Sequence, residues 1–176
     1  MKFCTVFVYW RFILNFRKKY TMKTLALFTM LVLTQLSFAQ KTALTWYTDI
    51  NEASAIAKKE NKPMMLFFTG SDWCGWCHRL QNEVFKTPEF EKWAKENVVL
   101  VELDFPRNKP QTEAIKAQNR ALQQQFAVRG YPTCWFVRPE KMSDGKSNLV
   151  QIGSKGYEAG GPVNWINGAN TMLKAN

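Results

Sequence analysis

Cys74 and Cys77, which are separated by two residues, are the strongest chemical signal in the sequence. They follow the apolar run Met64–Thr69 and precede residues with helical spacing. A cysteine at a helix N-terminus lies near unpaired backbone N–H groups, which lower the pKa of a thiol and favour the nucleophilic thiolate. A second thiol one helical turn later can resolve a mixed disulfide. We therefore predict thiol–disulfide exchange, with Cys74 as nucleophile and Cys77 as resolving thiol.

The same pair is also compatible with other sites. A tetrahedral zinc site needs about four ligands, and only His78 and Cys134 remain beside the pair, so we expect no metal. Cys74 to His78 also fits the C-x-x-C-H pattern of haem attachment, which leaves a c-type haem protein as a remote alternative. Apart from that alternative, we expect no cofactor. A purely structural disulfide is the third alternative.

Two further residues near the pair have competing interpretations. His78 stands four residues after Cys74, so the two side chains share a helix face. Protonated His78 is expected to lower the pKa of Cys74 and make the couple more oxidising, whereas the alternative is a solvated surface histidine. Cys134 lies in an apolar segment, which favours a buried core residue over a third redox thiol.

The segments around the pair alternate between strand and helix patterns, which predicts an α/β fold with a central sheet flanked by helices. The predicted strands are Leu44–Thr48, Met64–Thr69, Val98–Asp104, Thr133–Val137 and Leu149–Gly153. The predicted helices are Asn51–Asn61, a segment from the cysteine pair through Phe85, Pro88–Asn97 with Thr87 as its N-cap, Thr112–Phe126 and Pro162–Ala175. Residues 138–148 are predicted to form a polar loop. In the last helix, Val163, Trp165 and Ile166 are expected to pack on the core.

The segment Trp73-Cys74-Gly75-Trp76-Cys77-His78, together with the distant Tyr131-Pro132-Thr133, resembles the thioredoxin superfamily. It is most similar to exported thioredoxin-like proteins, and the resemblance spans roughly residues 46 to 173. It implies a thioredoxin fold, with a central mixed β-sheet flanked by helices.

The resemblance also implies roles for the residues around the pair. Pro132 would be the cis-proline that offers backbone to an extended substrate, with Thr133 beside it. Gly75 and Trp76, where thioredoxins have Gly-Pro, would tune the redox couple together with His78. Trp73, Trp76 and Tyr131 would form an apolar collar for peptide substrates.

One departure from thioredoxins concerns the buried acid that they carry six residues before the first cysteine. Phe68 occupies that position here. Proton transfer from the resolving thiol must then use water or another group, and Asp72 and Glu102 are the candidates.

The basic excess of the chain lies in its first 39 residues. The sequence has 24 Lys and Arg against 14 Asp and Glu, a net charge of +10. Residues 1–39 hold six of the basic residues and no acidic one, so residues 40–176 carry a charge of +4. A strongly basic chain often binds nucleic acid. Because most of the positive excess lies in residues 1–39, we predict no nucleic-acid partner.

The stretch from Met22 has the three parts of a secretory signal. Lys23 supplies a positive start, Leu25–Leu36 an apolar run, and Ala39 the end of a cleavage site. We predict a leader over residues 1–39, with a functional start at Met22, and a single domain over residues 40–176. An uncleaved anchor is the alternative, and it would be the only contact with a membrane. The predicted location is periplasmic or otherwise exported.

The composition is that of a globular protein, since 46% of the residues are hydrophobic and 22% charged, and four cysteines are too few for a disulfide-dense module. The predicted function is a thiol–disulfide oxidoreductase that reduces disulfides in exported proteins or peptides and exchanges electrons with an unidentified redox partner. A disulfide oxidase or isomerase and a non-catalytic binding or chaperone module are the alternatives.

Overall fold

The computed structural model of the protein describes residues 44–141 and 147–175. The predicted leader therefore lies outside the described residues. Within the part of the chain that is described, no helix has the length and apolar character needed to cross a membrane.

Five strands form one mixed sheet, as predicted. They are β1 (Trp46–Tyr47), β2 (Met64–Thr69), β3 (Val99–Asp104), β4 (Thr133–Lys141) and β5 (Ser147–Lys155). Their order across the sheet is β1-β3-β2-β4-β5. β3 runs parallel to both β1 and β2, whereas β4 is antiparallel to β2 and β5 is antiparallel to β4.

Helices connect or follow these strands. They are α1 (Ile50–Glu60), α2 (Gly75–Leu80), α3 (Pro88–Asn97), α4 (Glu113–Gln125) and α5 (Gly161–Lys174). A π-helical turn over Gln81–Phe85 follows α2 directly. α3 confirms its predicted start, because the Thr87 hydroxyl accepts a hydrogen bond from the N–H of Phe90 and Pro88 is the first helical residue.

β2 is buried on both faces, which explains its continuous apolar sequence. Met65 and Phe67 face a core cluster that also contains Cys74, Cys77 and Trp165. The alternate residues of the strand face a second cluster, formed with apolar side chains of α1 and α4. The cysteine pair therefore rests on one of two cores that share a single strand.

The topology places two distant segments side by side at the end of the sheet where the cysteine pair lies. β2 and β4 are antiparallel, with Phe68 opposite Thr133. The end of β2, which leads into the cysteine pair, therefore lies beside the start of β4, which follows Pro132. About sixty residues of chain separate these segments, and only the sheet pairing brings them together.

The predicted polar loop over residues 138–148 was wrong at both ends. β4 continues to Lys141 and β5 already begins at Ser147, so the two strands form a long antiparallel hairpin. β5 is at the edge of the sheet, where one side of a strand can face water and polar residues are tolerated. β1, by contrast, has two residues rather than the predicted five.

The expectation for Val163 was also wrong, because 60% of its surface is exposed. Trp165 and Ala169 are four residues apart and fully buried, so they define the inner face of α5. Val163 precedes Trp165 by two residues, which turns its side chain to the opposite face of the helix.

Candidate active site

Cys74 is the N-cap residue of α2 and forms a disulfide with Cys77, with Cα atoms 5.3 Å apart. The Cys74 N–H donates to the carbonyl oxygen of Gly70 (2.9 Å), which closes the turn between β2 and α2. The Cys77 N–H lies 3.2 Å from Cys74 Sγ and donates to it. The same N–H is placed to stabilise negative charge on this sulfur once the disulfide is reduced.

The two cysteines differ in accessibility. Cys74 retains 6% of its surface exposed and Cys77 none. Of the two, Cys74 therefore offers a surface to a substrate disulfide, and Cys77 is enclosed. This difference fits the predicted order, in which Cys74 attacks and Cys77 resolves.

The turn that carries Cys74 is bound to the loop after β3. Both the backbone N–H and the hydroxyl of Ser71 donate to the carboxylate of Asp104, at 2.7 and 2.6 Å. The Asp72 carboxylate accepts hydrogen bonds from the backbone N–H groups of Arg107 and Asn108, which lower the pKa of that carboxyl. Asp72, a predicted proton-transfer candidate, is thus engaged in holding the loop.

Four residues surround the indole of Trp73, and together with it they form what we call the Trp73 wall: Trp73, Gly70, Phe105, Arg107 and Tyr131. Trp73 Nε1 donates to the carbonyl oxygen of Phe105 (2.8 Å). Its ring meets the edge of Tyr131 at 5.8 Å between centroids, and the Arg107 guanidinium lies 4.3 Å from its centroid. The indole also lies so close to Gly70 that a Cβ atom there would overlap it.

The peptide bond between Tyr131 and Pro132 is cis, as the family resemblance implies. Tyr131 is half-buried: its ring stacks on Phe105 at 5.3 Å, and its hydroxyl accepts a hydrogen bond from Gln123 Nε2 at 2.6 Å. The Thr133 hydroxyl donates to the carbonyl oxygen of Gly130 (2.8 Å). The side chains of Tyr131 and Thr133 therefore fix the conformation around Pro132.

The second tryptophan of the motif has different partners. We call Trp76, Arg79, Glu83 and Tyr157 the Trp76 wall. The Arg79 guanidinium lies 5.3 Å from the Trp76 ring centroid and 5.1 Å from that of Tyr157. The two rings are themselves 5.3 Å apart. Glu83 accepts hydrogen bonds from Arg79 Nε (2.8 Å) and from the Tyr157 hydroxyl (2.6 Å), and these bonds lower the pKa of Glu83.

His78 is exposed, and its Nε2 lies 2.8 Å from the carbonyl oxygen of Ser71. Since a carbonyl only accepts, the ring donates from Nε2 and ties α2 to the turn before Cys74. This contact is a positioning role that the sequence did not indicate; the predicted redox tuning by His78 stays a prediction. Gly75, which is also assigned to tuning, is exposed, and a Cβ atom there would meet nothing within 4 Å.

Cys134 is fully buried, which confirms its predicted place in the core. Burial raises the pKa of its thiol, so little thiolate forms. Glu102 is partly buried on β3, and burial followed by the charge of Asp104 raises the pKa of its carboxyl. It lines an open cavity of about 250 Å³ together with Gln81, Lys86 and three aromatic residues. Within the described ranges, no three His, Cys, Asp or Glu side chains cluster closely enough to hold a metal ion.

Sequence reasoning missed Arg79, Glu83, Arg107 and Tyr157. The spacing of Arg79 and Glu83, four residues apart on a predicted helix, is a signal of an ion pair that was available. Tyr157 lies 74 residues beyond Glu83, and no local pattern connects them. Arg107 lies between the predicted strand Val98–Asp104 and the predicted helix Thr112–Phe126, where the spacing of residues gives no information about contacts.

Comparison with known proteins places this geometry in a family. The thioredoxin-like domain profile matches residues 50–146. The chain is 36% identical over 123 residues to the disulfide bond reductase DsbH of Chlamydia pneumoniae, which covers 70% of this chain and 69% of that protein. It is 34% identical over 118 residues to the thioredoxin-related protein DsbJ of the same organism, covering 67% of this chain and 32% of DsbJ.

Solved structures agree with these matches. A DsbH oxidoreductase superposes with a TM-score of 0.65 at 33% identity, covering 78% of this chain and 94% of that one. A thioredoxin from Thermus thermophilus, at 17% identity, superposes with a TM-score of 0.55 over 75% of this chain and 88% of its own, which shows the fold alone. Fold, cysteine pair and relatives together identify a thiol–disulfide oxidoreductase. The chain belongs to the thioredoxin-like family.

Proposed function

We propose that this oxidoreductase works as a reductase of disulfides in exported proteins or peptides, with Cys74 as nucleophile and Cys77 as resolving thiol. The observation that carries the proposal is the position of Cys74, which caps α2, accepts the Cys77 N–H and is the more exposed member of the pair. The name of DsbH, a disulfide bond reductase, supports the direction of the reaction.

The reaction consists of two exchanges. The Cys74 thiolate attacks one sulfur of a substrate disulfide, forming a mixed disulfide and releasing the other substrate sulfur as a thiolate that takes up a proton. The Cys77 thiol then loses its proton and attacks Cys74 Sγ, which forms the Cys74–Cys77 disulfide and releases the second substrate thiol. The substrate gains two electrons and two protons. A redox partner must return two electrons to the pair before the next turnover.

The residues around the pair have supporting roles in this proposal. Pro132 presents backbone to an extended substrate, with Thr133 and Tyr131 holding its loop. Trp73 contributes an apolar surface, while Gly75, Trp76 and His78 tune the couple. The leader over residues 1–39 exports the domain over residues 40–176, and its signal-like pattern is the support for an extracytoplasmic location.

Insulin reduction tests the catalytic assignment. Cys74→Ser is expected to lose at least about 1,000-fold in turnover, since the attacking sulfur is gone. Cys77→Ala should instead accumulate a mixed disulfide at Cys74, visible as a mass increase that dithiothreitol removes. Cys134→Ser is the matched control, with turnover expected near that of the unmodified protein. Full activity of Cys74→Ser would reject the assignment and favour a binding module.

The reduction potential of the pair tests the direction. A reductase is expected to have a potential below about −200 mV, closer to thioredoxin than to strongly oxidising members of the superfamily. The measurement is equilibration with glutathione redox buffers, followed by alkylation and mass spectrometry. A reduction potential of about −120 mV would identify an oxidase instead.

A further inference from the structure

Trp76 combines high exposure with fixed packing. It has 56% of its surface exposed, although it lies between the two cysteines. A large exposed aromatic side chain is normally free to change rotamer, and ordering it when a substrate binds costs free energy. Here the ring contacts both Tyr157 and the Arg79 guanidinium before any substrate arrives.

The contacts of the Trp76 wall form a closed set. Arg79 lies against both rings and donates to one carboxylate oxygen of Glu83, and Tyr157 donates to the other oxygen. Each member therefore contacts at least two of the others. Three members come from α2 and the π-helical turn, whereas Tyr157 comes from the segment between β5 and α5.

The Trp76 wall borders the cis-proline loop. Gly156, which immediately precedes Tyr157, lies so near Pro132 that a Cβ atom on it would be 3.2 Å from the Pro132 carbonyl oxygen. The backbone that carries Tyr157 is therefore packed against the segment assigned to substrate backbone. Gly156 and Tyr157 thus connect the cis-proline loop to Trp76, which stands in the chain between the two cysteines.

The Trp76 wall combines two aromatic rings with one ion pair and carries no net charge. Arg79 and Glu83 are paired with each other, so their charges cancel locally. Both charged side chains stay partly exposed, at 52% and 39%, and the indole of Trp76, at 56%, is the large apolar surface that the wall offers to a partner. Such a surface favours aromatic and large aliphatic side chains and gives no preference for charged ones.

We propose that Arg79, Glu83 and Tyr157 are positioning residues that hold Trp76 as a preformed docking surface for polypeptide disulfides carrying an aromatic or large aliphatic side chain next to the reacting cystine. This inference rests on the proposed reductase function and names the substrate class of the same site. Small disulfides without such a side chain make no use of the surface.

The test compares three substrates under steady-state conditions. Two are peptides of the same length with one internal cystine, flanked by Phe in the first peptide and by Ser in the second. The third is hydroxyethyl disulfide, which is too small to contact the Trp76 wall while its disulfide reacts with Cys74. The unmodified protein is expected to show a KM about 2- to 10-fold lower for the Phe peptide than for the Ser peptide, the range given by one aromatic contact.

The variants separate docking from other roles. Trp76→Ala should abolish the preference for the Phe peptide, measured as the ratio of the KM values of the two peptides. An effect of Trp76 on the redox couple acts on both peptides alike and leaves this ratio unchanged. Tyr157→Phe and Glu83→Gln should reduce the preference for the Phe peptide by about half or more, since the Trp76 ring is kept but its position is no longer fixed. Glu113→Gln is the matched control: it breaks an exposed ion pair with Lys116 on α4, a helix that packs on the other core cluster, and should change nothing.

A double variant tests whether Tyr157 acts through Trp76. In the Trp76→Ala background, Tyr157→Phe should have no further effect on the peptide preference. An undiminished preference in Trp76→Ala would overturn the inference. A loss of activity of the same size with the Phe peptide, the Ser peptide and hydroxyethyl disulfide would also overturn it and assign the wall to redox tuning alone. A protein that reduces none of the three substrates would instead reject the reductase function itself.

Discussion

The two tryptophans that flank Cys74 are held in different ways. Trp73 is anchored by a hydrogen bond to the backbone carbonyl of Phe105, by the ring of Tyr131 and by its close approach to Gly70. Within residues 44–141 and 147–175, the contacts of the Trp76 ring are with the side chains of Arg79 and Tyr157, which both bind Glu83. The exposed fraction is 38% for Trp73 and 56% for Trp76.

The Trp73 wall includes a hydrogen bond to the backbone, whereas the Trp76 wall is held by surface side chains, two of which are charged. Moving Trp73 requires the loop after β3 to move, because its partner is a backbone group. Moving Trp76 requires only rotamer changes at the surface, where ion pairs contribute little stability and are screened by salt. We therefore expect changes in the Trp73 wall to affect folding, and changes in the Trp76 wall to affect substrate choice.

Truncating the two indoles should give the largest contrast. Trp73→Ala is expected to lower the free energy of unfolding by about 2–3 kcal/mol, because it removes a hydrogen bond and leaves a gap beside Tyr131. Trp76→Ala should lower it by less than about 1 kcal/mol, since its contacts are at the surface. Urea denaturation of both oxidised proteins measures the difference. Equal losses would show that the two walls are not distinct in the way the contacts indicate.

A pair of glycine substitutions should give a smaller effect with opposite signs. Gly70→Ala is expected to destabilise the protein by about 1–2 kcal/mol, because the new methyl group displaces the Trp73 indole. Gly75→Ala meets open space at the start of α2, so it should be neutral or stabilise by up to about 1 kcal/mol. Thermal unfolding of the two variants measures both values. A neutral Gly70→Ala would mean that Trp73 has room to move.

Acid titration should give the smallest effect, and it should remove the stabilising contribution of Glu83 and of Asp72. Hydrogen bonds from Tyr157 and then Arg79 lower the pKa of Glu83, and those from the N–H groups of Arg107 and Asn108 lower the pKa of Asp72. A carboxyl with a lowered pKa stabilises the fold above its ordinary pKa, and this contribution is lost as the pH falls through the lowered value. Glu83→Gln and Asp72→Asn should therefore lower Tm at about pH 7, and each variant should converge with the unmodified protein once the pH falls below the lowered pKa of the replaced carboxyl.

Salt concentration should separate the contribution of Glu83 from that of Asp72. Raising sodium chloride to about 1 M should shrink the Tm difference of Glu83→Gln more than that of Asp72→Asn, because Glu83 faces a charged side chain and Asp72 faces backbone dipoles. The measurement is differential scanning calorimetry at two salt concentrations. An equal response of the two variants would count against the distinction between a carboxylate held by backbone N–H groups and one held by a charged side chain.

Local patterns were sufficient where one element determines its own conformation. The apolar run of β2 fits a strand buried on both faces, and its predicted bounds are those of the structure. Thr87 and Pro88 marked the start of α3 because an N-cap and a first-turn proline act within a few residues. The cysteine pair was predictable for the same reason, since the cap position of Cys74 depends only on the turn and helix around it.

Local patterns failed where a distant partner decides the conformation. The β4–β5 hairpin extends through polar residues because each strand supplies the hydrogen bonds of the other. Val163 lies outside the core because Trp165 and Ala169 set the orientation of α5. Tyr157 joined the site only through contacts with residues of α2 and the turn that follows it.

Spacing in the sequence was enough to predict the cysteine pair and the alternating strands and helices, because these depend on residues along one turn or one strand. The side chains that surround Cys74 follow instead from long-range packing. Sheet pairing brings Pro132 beside the end of β2, and packing brings Tyr157 against Trp76. Contacts between residues far apart in the chain follow from the burial of the whole core, which no local pattern records.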